Sequence, residues 1–214
     1  MDILRLLIEA GALLNRTTRD GRTPLYLAVQ EGHLEASTFL TNQYPPAITQ
    51  ATNSGRFPTQ AAAALPDTKI AYELTTYLLS HATLPLSTVL AHRDNSGRNI
   101  LLDSVVAQNL PLLEYLLLHA NADLNDTDSL GRNMIHHAAM MGHLQVLKLL
   151  ARLQVASDWN AVDTWDYWTP LMHASRQGHD DIVKYLIHEM HVDTHIQDKH
   201  GRTAKDIGKT VIKG

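Results

Sequence analysis

Apolar residues along the chain return at helical spacing in short, evenly placed stretches. Leu144, Val146, Leu147, Leu149 and Leu150 form one stretch, and Ile182, Val183, Leu186 and Ile187 another. That period predicts amphipathic helices with one face committed to burial. Ahead of each lies a shorter helix with its own start and stop signals. Thr23, Asn99, Asn133 and Thr169 stand where a side-chain oxygen can accept from the free amides of a first turn. Pro24 and Pro170 follow at the position where a missing N–H costs nothing. Gly32, Gly142 and Gly178 sit where a left-handed residue closes the helix, and a second helix begins after the next His. Polar segments such as "NADLNDTDSLGR" separate the pairs and predict turns with exposed tips.

Aligning the helix-start residues exposes a repeat. Thr23, Phe57, Asn99, Asn133, Thr169 and Thr203 are spaced by 34, 42, 34, 36 and 34 residues, and five of the six follow Gly-Arg. In the remaining unit Tyr167-Trp168 replaces that pair. A helix pair of this size cannot bury enough surface alone, so neighbouring units must share a core.

The segments "GRTPLYLAVQEGHLE" and "WTPLMHASRQGHDDIVKYLI" resemble ankyrin repeats, with the Thr-Pro-Leu start, the Gly-His turn and the apolar second helix in order. The resemblance covers nearly the whole chain. It implies an all-α repeat fold, an ankyrin-type solenoid of helix-turn-helix units with hairpin loops, as a single domain over residues 1–214. The expected divisions are a partial repeat at 1–16, repeats at 17–50, 51–92, 93–126, 127–162 and 163–196, and a partial repeat at 197–214. Three departures stand out. Phe57 lacks a capping side chain and its first helix, read as residues 61–64, is unusually small, which predicts a looser unit. Extra residues at 81–90 read as a longer edge loop. Asp103 and Ser104 replace small apolar residues, and Asn109-Leu110-Pro111 replaces Gly-His. The opening "MDILRLLIEAGALLN" matches a second helix without its first, leaving Ile3, Leu6 and Leu7 partly uncovered, and the closing "GRTAKDIG" lacks a second helix; both point to a segment of a longer protein or an abrupt domain.

Composition narrows the function classes. A hydrophobic share of 44% fits a folded globular chain, and a net charge of -4 argues against a surface built to neutralise nucleic-acid phosphates. No cysteine is present, which removes disulfides, thiolate metal sites and cysteine nucleophiles. The apolar opening stretch is too short and too charged to span a membrane and has no secretory cleavage pattern, so the expected address is cytoplasmic or nuclear. Ten of the thirteen histidines follow residue 118, yet none falls in a His-Glu-x-x-His pattern, and no metal or cofactor is expected. The "GKT" at 208–210 lacks the glycine that a phosphate loop requires at 203, and no Gly-x-Ser-x-Gly elbow occurs. Enzymatic activity is not expected.

Binding is the remaining reading. The resemblance implies a concave face lined by first helices and hairpin tips. Counting each helix-start residue as one, position five reads Leu27, Ala61, Asp103, His137 and His173, and position eight reads Gln30, Ala64, Val106, Met140 and Arg176. Both positions are expected to point away from the shared core. Trp165, Asp166, Tyr167 and Trp168 fall on the hairpin entering the Thr169 unit, and aromatic side chains with arginine dominate interface energetics. Trp165, Asp166, Tyr167, Trp168, His137, Met140, His173 and Arg176 are therefore the candidate partner-binding residues. Trp168 and Trp159 also have a structural reading, at the hairpin base and over a helix end. His137 and His173 predict pH-sensitive binding. Leu117, Asp123, Leu124 and Asn125 resemble the asparagine-hydroxylation pattern of ankyrin repeats, with Asn125 as acceptor. The expected function is a non-catalytic module that binds a protein or peptide, as a monomer or within a longer chain. The alternative is a regulatory or substrate-recruiting segment of a larger multidomain enzyme or effector.

Overall fold

The computed structural model describes residues 2–155 and 158–208, and the chain divides into two compact units, Met1–Ala122 and Asp123–Gly214. Among the described residues every regular element is helical. Residues 209 and 210 of the "GKT" segment lie outside the described residues.

In the first unit the helices are α1 (Asp2–Glu9), α2 (Pro24–Gln30), α3 (Leu34–Gln43), α4 (Pro58–Ala63), α5 (Thr68–His81), α6 (Leu86–Ala91), α7 (Ile100–Val106) and α8 (Leu110–Leu118), with a tight 3-10 turn at Pro45–Thr49. α2 pairs with α3, α4 with α5 and α7 with α8. α4 also packs on α2 and α7, while α5 packs on α3 and α8, so first helices form one layer and second helices another. Leu25, Val29, Ile48, Leu74 and Leu78 fill the space between the layers, and Leu4, Ile8 and Leu14 lean on its edge. Each fully buried side chain of this kind contributes about 2 kcal/mol. In the second unit α9 (Met134–Met141) pairs with α10 (Leu144–Arg152) and α11 (Pro170–Gln177) with α12 (Asp180–His188). α11 packs between α9 and the short α13 (Ala204–Ile207). Met134, Ile135, Val146, Leu147, Met172, Ile182 and Leu186 form the interior.

Local signals act as the residue types require. The side-chain oxygens of Thr23, Asn99, Asn133 and Thr169 accept from amides of the first helical turn at 3.0–3.2 Å. Gly32, Gly142 and Gly178 close their helices at φ 69°, 80° and 80°. Where Gly-His is missing, Gln108 takes the left-handed conformation and Asn109 caps α8, accepting from the Leu112 amide and donating to the Thr68 carbonyl.

Two expectations about the first unit give way. Phe57 offers no cap, but the Gln60 side chain accepts from the Phe57 amide at 3.1 Å and donates to the Arg98 carbonyl at 2.8 Å. Residues 57–63 are all buried, and the Phe57 ring stacks on His92 at 3.5 Å, so this unit is closely packed rather than loose. The extra residues at 81–90 are not a plain loop. α5 runs on to His81 and α6 follows, with Val89 and Leu90 buried, because two apolar residues one helical step apart gain more by docking than by staying in water.

Candidate functional site

The hairpins between helix pairs share one construction. Asp94, Asp128 and Asp198 each open a hairpin, accept through Oδ1 from amides two and four residues on, and donate their own amide to the carbonyl of the arginine four residues later. Those arginines return an ion pair to the same carboxylate, at 2.7 Å for Arg132–Asp128 and for Arg202–Asp198. Within each unit successive hairpins are joined edge to edge, Asn53 and Asn95 donating to Asp20 and Ser54 in the first, Thr164 and Lys199 donating to Leu130 and Asp166 in the second.

The hairpin 163–168 varies this design. It is one residue longer than its neighbours, since Asp163 pairs with the carbonyl of Trp168 five residues on. Asp163 Oδ1 accepts from the amides of Asp166 and Trp168. With no arginine in the closing slot, Asp163 Oδ2 instead takes His173 Nε2 at 3.0 Å, and the Trp168 carbonyl takes His136 Nε2 at 3.1 Å. Both ends of the hairpin are thus held from α9 and α11. Trp168 lies half-buried at the base, its Nε1 3.3 Å from Asp198 Oδ2 and its ring edge-on to His173 at 5.2 Å. The tip is different: Trp165 is 67% and Tyr167 53% exposed. Tyr167 takes φ 58°, in the slot where the other hairpins carry a left-handed glycine. At Gly131 a Cβ would come within 2.6 Å of Thr164 Cγ2 on the next hairpin, so the side chain there must be absent.

The candidate residues accordingly separate into two groups. Trp165, Tyr167 and Arg176 are exposed, Asp166, Trp168 and Met140 half-buried, and Trp159 half-buried in the loop before the hairpin. His137 and His173 do not face an open groove: both are buried, because each imidazole turns to the hairpin base and donates to the opening aspartate, at 3.1 Å for His137–Asp128 and 3.0 Å for His173–Asp163, whereas Leu27 at the same position is exposed. Asp103 occupies the same position in the first unit and is buried against Arg56 at 2.9 Å. At position eight Gln30, Ala64 and Arg176 are exposed, and Val106 and Met140 are half-buried. His179 reaches back to the Met140 carbonyl at 3.2 Å, whereas His188, His191, His195 and His200 are exposed. Among the described residues no three metal-ligating side chains converge. Asn125 is exposed, its amide donating to Asp123.

Electrostatics follow from burial. Burial and the nearby His173 push His136 down to about 4, and burial pushes His173 down against the pull of Asp163. Both rings are neutral at pH 7 and serve as donors. Burial raises the Asp163 carboxyl, but the Asp166 and Trp168 amides and His173 outweigh it and hold it below the usual range. Asp128 is likewise held low, by His137 and Arg132 against burial.

The opening aspartates and Lys199 were not singled out from sequence. The aspartates had a signal, because Asp recurs four residues before Arg at 94, 128 and 198, and histidine at position five accompanies Asp128 and Asp163.

Comparison with known proteins agrees with this architecture. A model of ankyrin repeats in three copies matches residues 101–198, and a model of ankyrin repeats in many copies matches residues 1–41. The chain is similar to a probable 26S proteasome regulatory subunit p28 of Saccharomyces cerevisiae, 25% identical over 96% of this chain and 86% of that protein. It is also similar to the mouse ankyrin repeat and SAM domain-containing protein 6, 29% identical over 58% of this chain but only 14% of that protein's length. Among solved structures, the ankyrin repeat domain of Bcl-3, a member of the IkappaB family, superposes with a TM-score of 0.71 at 22% identity, covering 98% of this chain and 87% of that one.

Proposed function

Because this chain belongs to the ankyrin-repeat family, whose members are in general protein-interaction modules, we propose that it is a non-catalytic module holding a protein or peptide partner on the hairpin 163–168. The observation that carries this reading is the exposure of Trp165 and Tyr167 on a tip whose backbone is pinned from beneath. Large rings presented on a pre-ordered backbone gain contact area without a further backbone-ordering cost on binding. Arg176 and Met140 extend the surface along the first helices. Asp166 lies on the same tip, and Trp168, His137 and His173 support it from beneath: they set the hairpins that the partner meets. Affinity capture with the wild type against a Trp165→Ala/Tyr167→Ala variant tests the reading. The variant is expected to bind about thirtyfold more weakly, the loss of about 2 kcal/mol typical of an aromatic anchor, with its Tm little changed. Undiminished capture, or a collapse of Tm, overturns it.

The similarity to the probable proteasome regulatory subunit spans most of both chains and supports a second, finer reading, in which the partner is a subunit of a large regulated enzyme met in the cytoplasm or nucleus. Co-sedimentation with purified 26S proteasome, lost in the same double variant, is the expected result. No co-sedimentation removes this finer reading and leaves the first intact. No helix among the described residues is long and apolar enough to cross a membrane.

A further inference from the structure

Lys199 reaches from the last hairpin onto the tip of the hairpin 163–168. Its Nζ lies 2.6 Å from Asp166 Oδ1, donates to the Trp165 carbonyl at 3.0 Å, and stands 5.5 Å from the centroid of the Trp165 ring. A carboxylate, a carbonyl and an indole face within hydrogen-bond and cation–π range of one point are what an alkylammonium group needs for recognition. Asp166 differs from the opening aspartates 94, 128 and 198, whose hairpins each supply their own arginine; its cation comes from another repeat. From this juxtaposition we infer that the Trp165–Asp166 corner is a binding site for a primary ammonium group, a lysine side chain of the partner, and that Lys199 occupies it in the free protein. The inference rests on the proposed role of the hairpin and names the partner's chemistry.

Exchange of one ammonium for another is energetically easy here. Lys199 and Asp166 are 36% and 28% exposed, and an exposed ion pair contributes little net stability. A displaced Lys199 regains full hydration, while Asp166 and the indole keep an equivalent cation. Tyr167, beside the corner and exposed, then supplies contact area that Lys199 does not use.

The probe is Nα-acetyl-lysine methylamide, titrated against the full chain while the Trp165 indole signal is followed by NMR. The signal is assigned by its loss in Trp165→Phe. In Lys199→Met, where the internal competitor is gone, the probe is expected to bind roughly fivefold more tightly than to the wild type, the occupancy advantage of an exposed ion pair. The uncharged norleucine analogue should not bind, and Asp166→Asn in the Lys199→Met background should abolish binding. Alaninamide, which offers an amino terminus instead of a side chain, is expected to bind more weakly than the lysine probe. Equal affinity of Lys199→Met and wild type, or equal binding of the norleucine analogue, overturns the inference, and tighter binding of alaninamide overturns the assignment to a lysine side chain. Partner capture that depends on Trp165 alongside a Lys199→Met protein that binds no amine sinks this inference alone. Amine binding alongside capture indifferent to Trp165 sinks the partner reading alone.

Discussion

Tyr167 shows how one side chain can be kept against its backbone preference. Glycines occupy the corresponding slot in the other five hairpins at φ 73–78°, and Tyr167 adopts 58°. An L-residue there carries roughly 1–2 kcal/mol of strain, and glycine in its place would return about 0.5–1 kcal/mol of that to unfolded-chain entropy. Tyr167→Gly is therefore expected to gain about 0.5 kcal/mol of stability in urea denaturation while weakening partner binding; a less stable glycine variant would show the conformation to be unstrained. His136 makes the opposite trade. Its ring, neutral and buried, holds the Trp168 carbonyl, and its folded value of about 4 lies below the 6.5 of an unperturbed imidazole. The unfolded chain then binds more protons, so this contribution is complete above pH 6.5 and is lost as pH falls toward 4, by about 3 kcal/mol. Urea titrations at pH 7 and pH 4.5 should differ by most of that amount, and His136→Gln should remove most of the difference. His173, also pushed down by burial, adds to the loss in the same direction. These buried histidines hold the hairpin's support, so their titration acts on stability.

At the scale of elements, the hairpins and first helices are joined by buried charge. Arg56 pairs with Asp94 at 3.1 Å and Asp103 at 2.9 Å and donates to the Gln60 carbonyl, tying α4 to α7 and to the hairpin 94–98. Arg98 approaches the same carboxylates only to 3.6 and 4.0 Å. Removing one partner of such a pair leaves charge buried without compensation, which costs more than the intact pair contributes. Arg56→Met is expected to lose about 3 kcal/mol, and adding Asp103→Leu should recover most of it. Additive losses in that double variant would mean the two residues act independently. Asp103 looked in sequence like a polar intrusion into a helix, because its counter-charges lie 47 residues back on Arg56 and on the arginine of its own hairpin.

For the molecule as a whole, stability resides where the layers of helices meet. Leu74 has no exposed surface, so Leu74→Ala should cost about 3 kcal/mol. Leu6 on α1 is 63% exposed, and Leu6→Ser should stay within about 0.5 kcal/mol. Calorimetric or urea unfolding of both variants checks the contrast, and comparable losses would place α1 within the cooperative core. The helix starts at Thr23, Asn133 and Thr169, the left-handed closures at Gly32, Gly142 and Gly178, and the repeat itself were legible in the residues. Each rests on contacts between positions no more than a few residues apart, which the order of side chains dictates directly. The inward turn of His137 and His173, the docking of Val89 and Leu90 on α6, the reach of Gln60 to the Arg98 carbonyl and the hold of Lys199 on Trp165 were not. Those pairings join residues up to a repeat or more apart, and which of them meet depends on how far each hairpin leans over the next. Only the stacked helices decide that. The chain's order of residues thus determined that there would be repeats and where the helices with a capping Thr or Asn and a closing glycine begin and end, while tertiary packing decided which polar side chains turn inward to hold the hairpins and which rings remain outside.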